Sequence, residues 1–172
     1  MTVLLSLTIP FFASCKDNKK TLKIGDKAPV FSLTDQNGNV WNMGDYIGKK
    51  WVVLFFYPKD ESAVCTKEAC AFRDDWHQFT EMNAVVAGIN NGSVAEHKNF
   101  AGNHKLPYSL LSDAGDVVYN QFGIKKKFFI NGRATFVIDP EGKIAYSYVA
   151  LTEGKEHVDN ALNFLKTHSI KK

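Results

Sequence analysis

Cysteine is scarce in this chain: three in 172 residues, at positions 15, 65 and 70. Three thiols cannot build a disulfide framework, so the fold must rest on an apolar core. A Cys-x4-Cys pair with no further cysteine or histidine at ligand spacing is poor evidence for zinc, and no metal or other cofactor is expected. Long apolar runs are lacking too. The first fourteen residues are uncharged and largely apolar, but a bilayer span takes about 20. Charge of one sign is missing, with 21 basic residues against 18 acidic ones. The basic clusters Lys125-Lys126-Lys127 and Lys171-Lys172 read as solvated loop and tail. No aromatic-basic interleaving argues for nucleic acid, and no nucleic-acid partner is expected. No internal repeat is present. The five histidines, at 77, 97, 104, 157 and 168, are scattered and are expected at the surface.

What remains is enough for one domain. With 45% apolar residues, a chain of this length can bury a proper core. Residues 1–14 fit the apolar part of a secretory signal, and Phe12-Ala13-Ser14-Cys15 resembles a lipoprotein processing box. Cys15 would then be lipidated, residues 15–22 would form a polar tether, and residues 23–172 the domain. That places the protein on a bacterial cell envelope with a lipid anchor; the alternative is a cytoplasmic enzyme with a short extension.

The informative stretch is Tyr57 to Cys70. It follows Trp51-Val52-Val53-Leu54-Phe55-Phe56, an apolar run that reads as a strand buried on both faces. It leads into Ala69, Phe72, Trp76 and Phe79, the spacing of an amphipathic helix reaching about residue 80. Cys65 thus falls where a central strand hands over to the first turn of a helix. Unpaired N–H groups and the positive end of the helix dipole favour a thiolate there. By position alone, a small buried apolar residue is an equal reading. The neighbours favour a nucleophile: Ser62 can cap the helix and hold a hydroxyl beside the sulfur. Glu68, one turn on, can orient a cation from elsewhere, and Pro58 ends the strand and can wall a pocket.

Other elements follow from periodicity and turn chemistry. Phe31–Leu33 and Val40–Asn42 flank Asn37-Gly38, a hairpin signal. Ala84–Ile89 is a strand, and Ser93-Val94-Ala95-Glu96 has capping-box form. Ser109–Leu111 is a short strand, and Ala114–Phe122 a helix ended by Gly123. Strands Arg133–Ile138 and Lys143–Val149 are joined by an Asp139-Pro140-Glu141-Gly142 turn. Val158, Ala161, Leu162 and Leu165 mark a closing helix. This alternation predicts an α/β fold, a central mixed sheet flanked by helices.

Pro58-x-x-x-Ser62-x-x-Cys65 resembles the Pro-x-x-x-Thr/Ser-x-x-Cys signature of peroxiredoxins, and Cys70 resembles the second cysteine of their bacterioferritin-comigratory or Q type. Gly25–Leu33, Leu110–Asp113 and Arg133–Asp139 resemble further family segments in the right order. The resemblance covers roughly residues 23 to 168. It implies a thioredoxin-like fold with an N-terminal hairpin extension, and a thiol peroxidase acting on hydrogen peroxide and organic hydroperoxides. Cys65 would become a sulfenic acid, Cys70 would resolve it through an intramolecular disulfide, and a thioredoxin-like partner would recycle the pair. Arg133 would stabilise the thiolate, with Glu68 holding the guanidinium by a bidentate bond and Arg73 a second candidate for support. Ser62 and the Cys65 N–H would grip the peroxide, and a monomer is expected. The chain departs from the Q type where Ser62-Ala63-Val64 replaces Thr-Pro-Gly. Two other readings stay open: a thiol–disulfide oxidoreductase of the cell envelope, and a non-catalytic redox sensor.

Five residues along an intact helix separate the two Cα atoms by about 8.5–9 Å. A disulfide needs less than about 7 Å, so the start of the helix must unwind for Cys65 and Cys70 to join.

Overall fold

The apolar run at 51–56 forms β3 (Trp51–Phe56), the centre of the sheet, because its side chains serve two cores. Val53 and Phe55 pack on one face with Ala69, Phe72, Phe100, Val158 and Leu162. Val52, Leu54 and Phe56 pack on the other with Trp41, Val118, Phe122 and Phe136. A strand alternates its side chains every residue, so a strand covered on both faces has no polar positions to spare. The computed structural model describes residues 21–127 and 129–169. The leader 1–14, the lipidation expected at Cys15 and most of the tether therefore lie outside the described residues.

Seven strands make one mixed sheet in the order β2-β1-β5-β4-β3-β6-β7. The outer hairpin is β1 (Ser32–Asp35) and β2 (Val40–Asn42), antiparallel, with Thr34 opposite Val40. Asp35 accepts the N–H groups of Asn37 and Asn39, and Gly38 takes a φ of 84°, so the expected turn is present. On the other edge, β6 (Ala134–Ile138) and β7 (Ile144–Val149) form the second hairpin. Between these edges β4 (Ala84–Asn90) runs parallel to β3 and to β5 (Ser109–Ser112).

Helices α1 (Ala63–Asp74), α3 (Val94–His104) and α5 (Gly154–His168) cover the face that holds Cys65. Ser93 and Glu96 close the capping box that the sequence announced. The helix expected to run to residue 80 is broken at Asp75, and α2 (Trp76–Glu81) continues beyond it. Asp75 sits at φ −96° and ψ 6°, outside helical geometry, and its carboxylate accepts from the Gln78 side chain. The helix expected over 114–122 shortens to α4 (Val117–Gln121). Gly115 and Asp116 have positive φ, and Asp113 accepts the N–H groups of Val118 and Tyr119 in place of an earlier turn.

Two histidines expected at the surface are buried, His97 in α3 and His157 in α5. Both lie on the apolar stripe of their helix, His97 with Phe100 and Ala101, His157 with Val158 and Ala161. Hydrogen bonds at both ring nitrogens replace the water that His157 has lost, whereas His97 is bonded at Nδ1 alone and its buried Nε2 has no partner among the described residues. Among the described residues no helix is long and apolar enough to cross a membrane, and no cluster of His, Cys, Asp and Glu is arranged to hold a metal.

Candidate active site

β3 delivers the chain to a loop, Tyr57 to Ser62, that ends on α1 with Cys65 in its first turn. A buried polar cluster fixes that loop. Asp60 accepts from the Tyr57 hydroxyl at 2.7 Å, from the Asn90 amide at 2.8 Å and from His97 Nδ1–H at 2.8 Å. Burial works to raise the Asp60 carboxyl, but these hydrogen bonds and the His97 charge outweigh it and hold it below the ordinary carboxylate range. Sequence reasoning missed this cluster. The one available signal was the apolar face on which His97 falls.

The antiparallel register of β3 with β6 pairs Phe56 with Ala134. Arg133 therefore stands just past the end of β3, level with the start of α1. Its side chain is 2% exposed, against the surface position that an Asn131-Gly132 turn allows. Nη2–H points at Cys65 Sγ at 3.1 Å, Nη1–H donates to Glu68 Oε2, and Nε–H donates to the Leu151 carbonyl at 3.0 Å. Three separate acceptors fix the guanidinium plane and aim one edge at the sulfur. The sulfur thus lies against a fixed positive charge, in the first turn of α1.

Glu68 is fully buried, and burial drives its carboxyl up to about 8 against the pull of the Arg133 charge. The bidentate bond expected between Glu68 and Arg133 is not formed. Only Oε2 meets the guanidinium, because Nη2 is turned to the sulfur; Oε1 has no partner and lies 3.8 Å from His157 Nδ1. His157 is held neutral: burial pushes its imidazole down to about 4, with Nε2–H donating to Ala150 and Nδ1 accepting from Thr135. Gly154, at the start of α5, allows this packing, since a Cβ there would lie 2.8 Å from the Val64 carbonyl and 3.2 Å from Glu68 Cβ.

Ser62 holds the N-cap position, but its hydroxyl does not cap α1. It donates to the Lys59 carbonyl at 3.1 Å, which leaves its lone pairs directed to other donors. Pro58, Ser62, Val64, Cys65 and Arg133 line one pocket of about 580 Å³, with Phe129, Ile130 and Leu151 around them. Cys65 is 1% exposed, and this pocket is where a small molecule can approach it.

Cys70 and Arg73 are not part of this pocket. Cys70, also a free thiol, is half-buried, and its Sγ lies 4.0 Å from His104 Nδ1. Arg73 donates to the His104 carbonyl at 2.8 Å and to Asp74, so the support expected of it at Cys65 is absent. Both cysteines sit on an unbroken α1.

The sequence model of the AhpC/TSA family matches residues 24–147. The chain belongs to the AhpC/TSA family. Its relatives within that family are peroxiredoxins, which are thiol-dependent peroxidases. It is 44% identical over 144 residues to chloroplastic peroxiredoxin Q of Arabidopsis thaliana, covering 83% of this chain and 66% of that one. It is 42% identical over 132 residues to a putative peroxiredoxin bcp of Coxiella burnetii, covering 73% and 87%. Among solved structures, peroxidoxin BcpB of Mycobacterium tuberculosis superposes with a TM-score of 0.79 at 37% identity, covering 86% and 98%. The bacterioferritin comigratory protein of Xanthomonas campestris, described with alkyl peroxide reduction activity, gives 0.75 at 28%, covering 81% and 92%. The thioredoxin-like, peroxiredoxin architecture read from the sequence is thus the one observed. The envelope lipoprotein is not. The plant relatives are named as chloroplastic proteins and the Coxiella one as bcp, and none of these carries a lipoprotein or envelope designation. A four-residue box at Cys15 was too little to outweigh them.

Proposed function

We propose that this chain is a thiol-dependent peroxidase that reduces hydrogen peroxide and organic hydroperoxides through Cys65. The observation that carries the reading is the 3.1 Å contact from Arg133 Nη2–H to Cys65 Sγ at the floor of a pocket. The thiolate attacks the terminal peroxide oxygen, an S–O bond forms as O–O breaks, and the departing oxygen leaves as alcohol or water after taking a proton. Arg133 faces the charge that grows along this axis, held by Glu68. Ser62 accepts the peroxide O–H, the Cys65 N–H donates to an oxygen, and Pro58 walls the site, so the substrate is aligned for in-line attack. The alkyl peroxide activity of the Xanthomonas relative supports an organic substrate, and the apolar lining by Val64, Ile130 and Leu151 suits one.

Cys70 then attacks the Cys65 sulfenic acid, and a thioredoxin-like dithiol reduces the resulting disulfide. From the chain itself the cycle draws on two thiols and a guanidinium, within a monomer, and the outside dithiol supplies the electrons. Loss of hydrogen peroxide or cumene hydroperoxide, with thioredoxin or dithiothreitol as reductant, tests the reading. Consumption that is abolished by Cys65→Ser upholds it. Undiminished consumption in Cys65→Ser overturns it, and so does disulfide exchange by a wild type inert to peroxide.

A further inference from the structure

The half-buried Cys70 has a polar environment that the peroxide pocket does not use. His104, the last residue of α3, turns Nδ1 to Cys70 Sγ at 4.0 Å and Nε2 to Glu61 Oε2 at 2.8 Å. A carboxylate can only accept, so the proton on the neutral ring resides on Nε2, and Nδ1 presents a lone pair to the thiol. Glu61 is itself held. Its other oxygen accepts from Asn103 Nδ2–H at 2.9 Å, and hydrogen bonds from His104 and Asn103 keep the carboxyl below its ordinary range. The edge of the ring meets the face of Phe100, centroids 5.0 Å apart at 71°, which sets the ring plane. Arg73, one turn beyond Cys70 on α1, donates to the His104 carbonyl at 2.8 Å and so docks this half of α1 against the end of α3. Its guanidinium also lies close enough to attract charge on the Cys70 sulfur.

We propose that Cys70, His104 and Glu61 form a second activation site, in which His104 takes the Cys70 proton as Cys70 attacks the oxidised Cys65 sulfur. The proposal rests on the peroxidase reading for its place in the reaction, though not for the assembly itself. Thiol, imidazole and carboxylate follow one another as in any base-activated nucleophile oriented by a third group. Glu61 acts through His104 and is a positioning residue. The Cys70 electron pair forms the S–S bond while the S–O bond of the Cys65 sulfenic acid breaks. Hydroxide leaves and takes the proton from His104, giving a disulfide and one water. Cys70 is oxidised and the sulfenic sulfur reduced, with no outside reagent. The titratable and charged groups facing the ring are Glu61 from the loop, and Cys70 and Arg73 from α1; α3 adds only Phe100 and Asn103. The two activation sites divide the labour. A fixed arginine meets the sulfur of Cys65, whereas a base stands ready to take the proton of Cys70.

Cys70 reactivity can be read without peroxide. In a Cys65→Ser background, alkylation by iodoacetamide is followed on the tryptic peptide Glu68–Arg73, which contains no other cysteine. His104→Gln is expected to slow alkylation about ten-fold near pH 7 and to leave it unchanged near pH 10, where a thiol ionises unaided. Glu61→Gln, which keeps an acceptor for Nε2–H, should fall between. With Cys65 restored, His104→Gln should slow disulfide formation by a similar factor while the oxidation of Cys65 keeps its rate. Equal alkylation rates at both pH values, or an equal loss at both, overturn the proposal. A wild type inert to peroxide whose Cys70 alkylation still depends on His104 would overturn the peroxidase reading while upholding this assembly.

Discussion

Arg133 donates to the sulfur of Cys65 at 3.1 Å across 68 positions of chain, and the same guanidinium meets the buried carboxyl of Glu68. The arginine is therefore both a charge for the sulfur and a member of the core. Replacing it separates those roles. Arg133→Lys keeps a positive charge but cannot reach three acceptors at once, so peroxide reduction should fall by about ten-fold or more. Arg133→Ala empties a buried volume and leaves the Glu68 and Leu151 oxygens without their donor, and should also cost about 3 kcal/mol of stability. Stopped-flow oxidation and urea denaturation of both variants check this. Wild-type rates in both would remove Arg133 from the reaction. Nothing near Arg133 along the chain signals that stability is at stake, because burial of this residue depends on Leu151 and Glu68 closing over it.

Cys65 and Cys70 share an intact α1, where residues five apart lie about 8.5–9 Å apart at Cα. Joining them should unwind the first turns of the helix. We expect peroxide-treated protein to yield a peptide linking Cys65 to Cys70, with faster amide exchange over residues 63–70. In Cys70→Ser the reaction should stop at a Cys65 sulfenic acid that dimedone traps. Protection of 63–70 unchanged in the disulfide form would contradict the unwinding.

Acid should destabilise the fold through His157. Its folded-state imidazole is pushed down to about 4 from an ordinary 6.5. Between those values the unfolded chain binds a proton that the folded chain refuses. The contribution is thus complete above about pH 6.5, is lost progressively toward pH 4, and is constant below. The full loss is about 3 kcal/mol. Urea unfolding near pH 7 and near pH 4.5 should show a smaller acid loss in His157→Gln than in the wild type. Equal losses in the two proteins would show that His157 titrates normally.

Gly154 carries a packing prediction. Gly154→Ala sets a Cβ 2.8 Å from the Val64 carbonyl, a backbone atom that cannot turn aside. The start of α5 must shift from α1, at about 1–3 kcal/mol. Since Glu68 Cβ is the next contact at 3.2 Å, peroxide reduction should fall with stability. A variant as stable and active as the wild type would mean that α5 moves freely against α1.

Much of the fold was legible because its signals are local. The alternation of Val52 to Phe56 between two cores, the Asn37-Gly38 turn and the Ser93–Glu96 capping box each involve residues within a few positions of one another. The failures involve neighbours far away in sequence. His97 and His157 read as surface residues from the sequence, since nothing adjacent announces Asp60 or Thr135 as a buried partner. The break at Asp75 went unseen, because Phe79 stays in phase with Phe72 across it. The hydroxyl of Ser62 was assigned to the helix N-terminus, and it bonds to Lys59 instead.

The sequence by itself determined the place of Cys65. A strand, a loop with Pro58 and Ser62, and a helix opening at Cys65 are consecutive, so covalent connection alone brings them together. It also carried the motif by which the family is known. The tertiary structure decided what acts on each sulfur. The chain has two arginines, Arg73 and Arg133, and only the pairing of Phe56 with Ala134 sends the second to Cys65 while α3 captures the first. It likewise set His104 and Glu61 beside Cys70. Charge and hydrogen bonding act over a few ångströms of space, whatever the distance along the chain, and only the folded packing fixes which groups fall within that range.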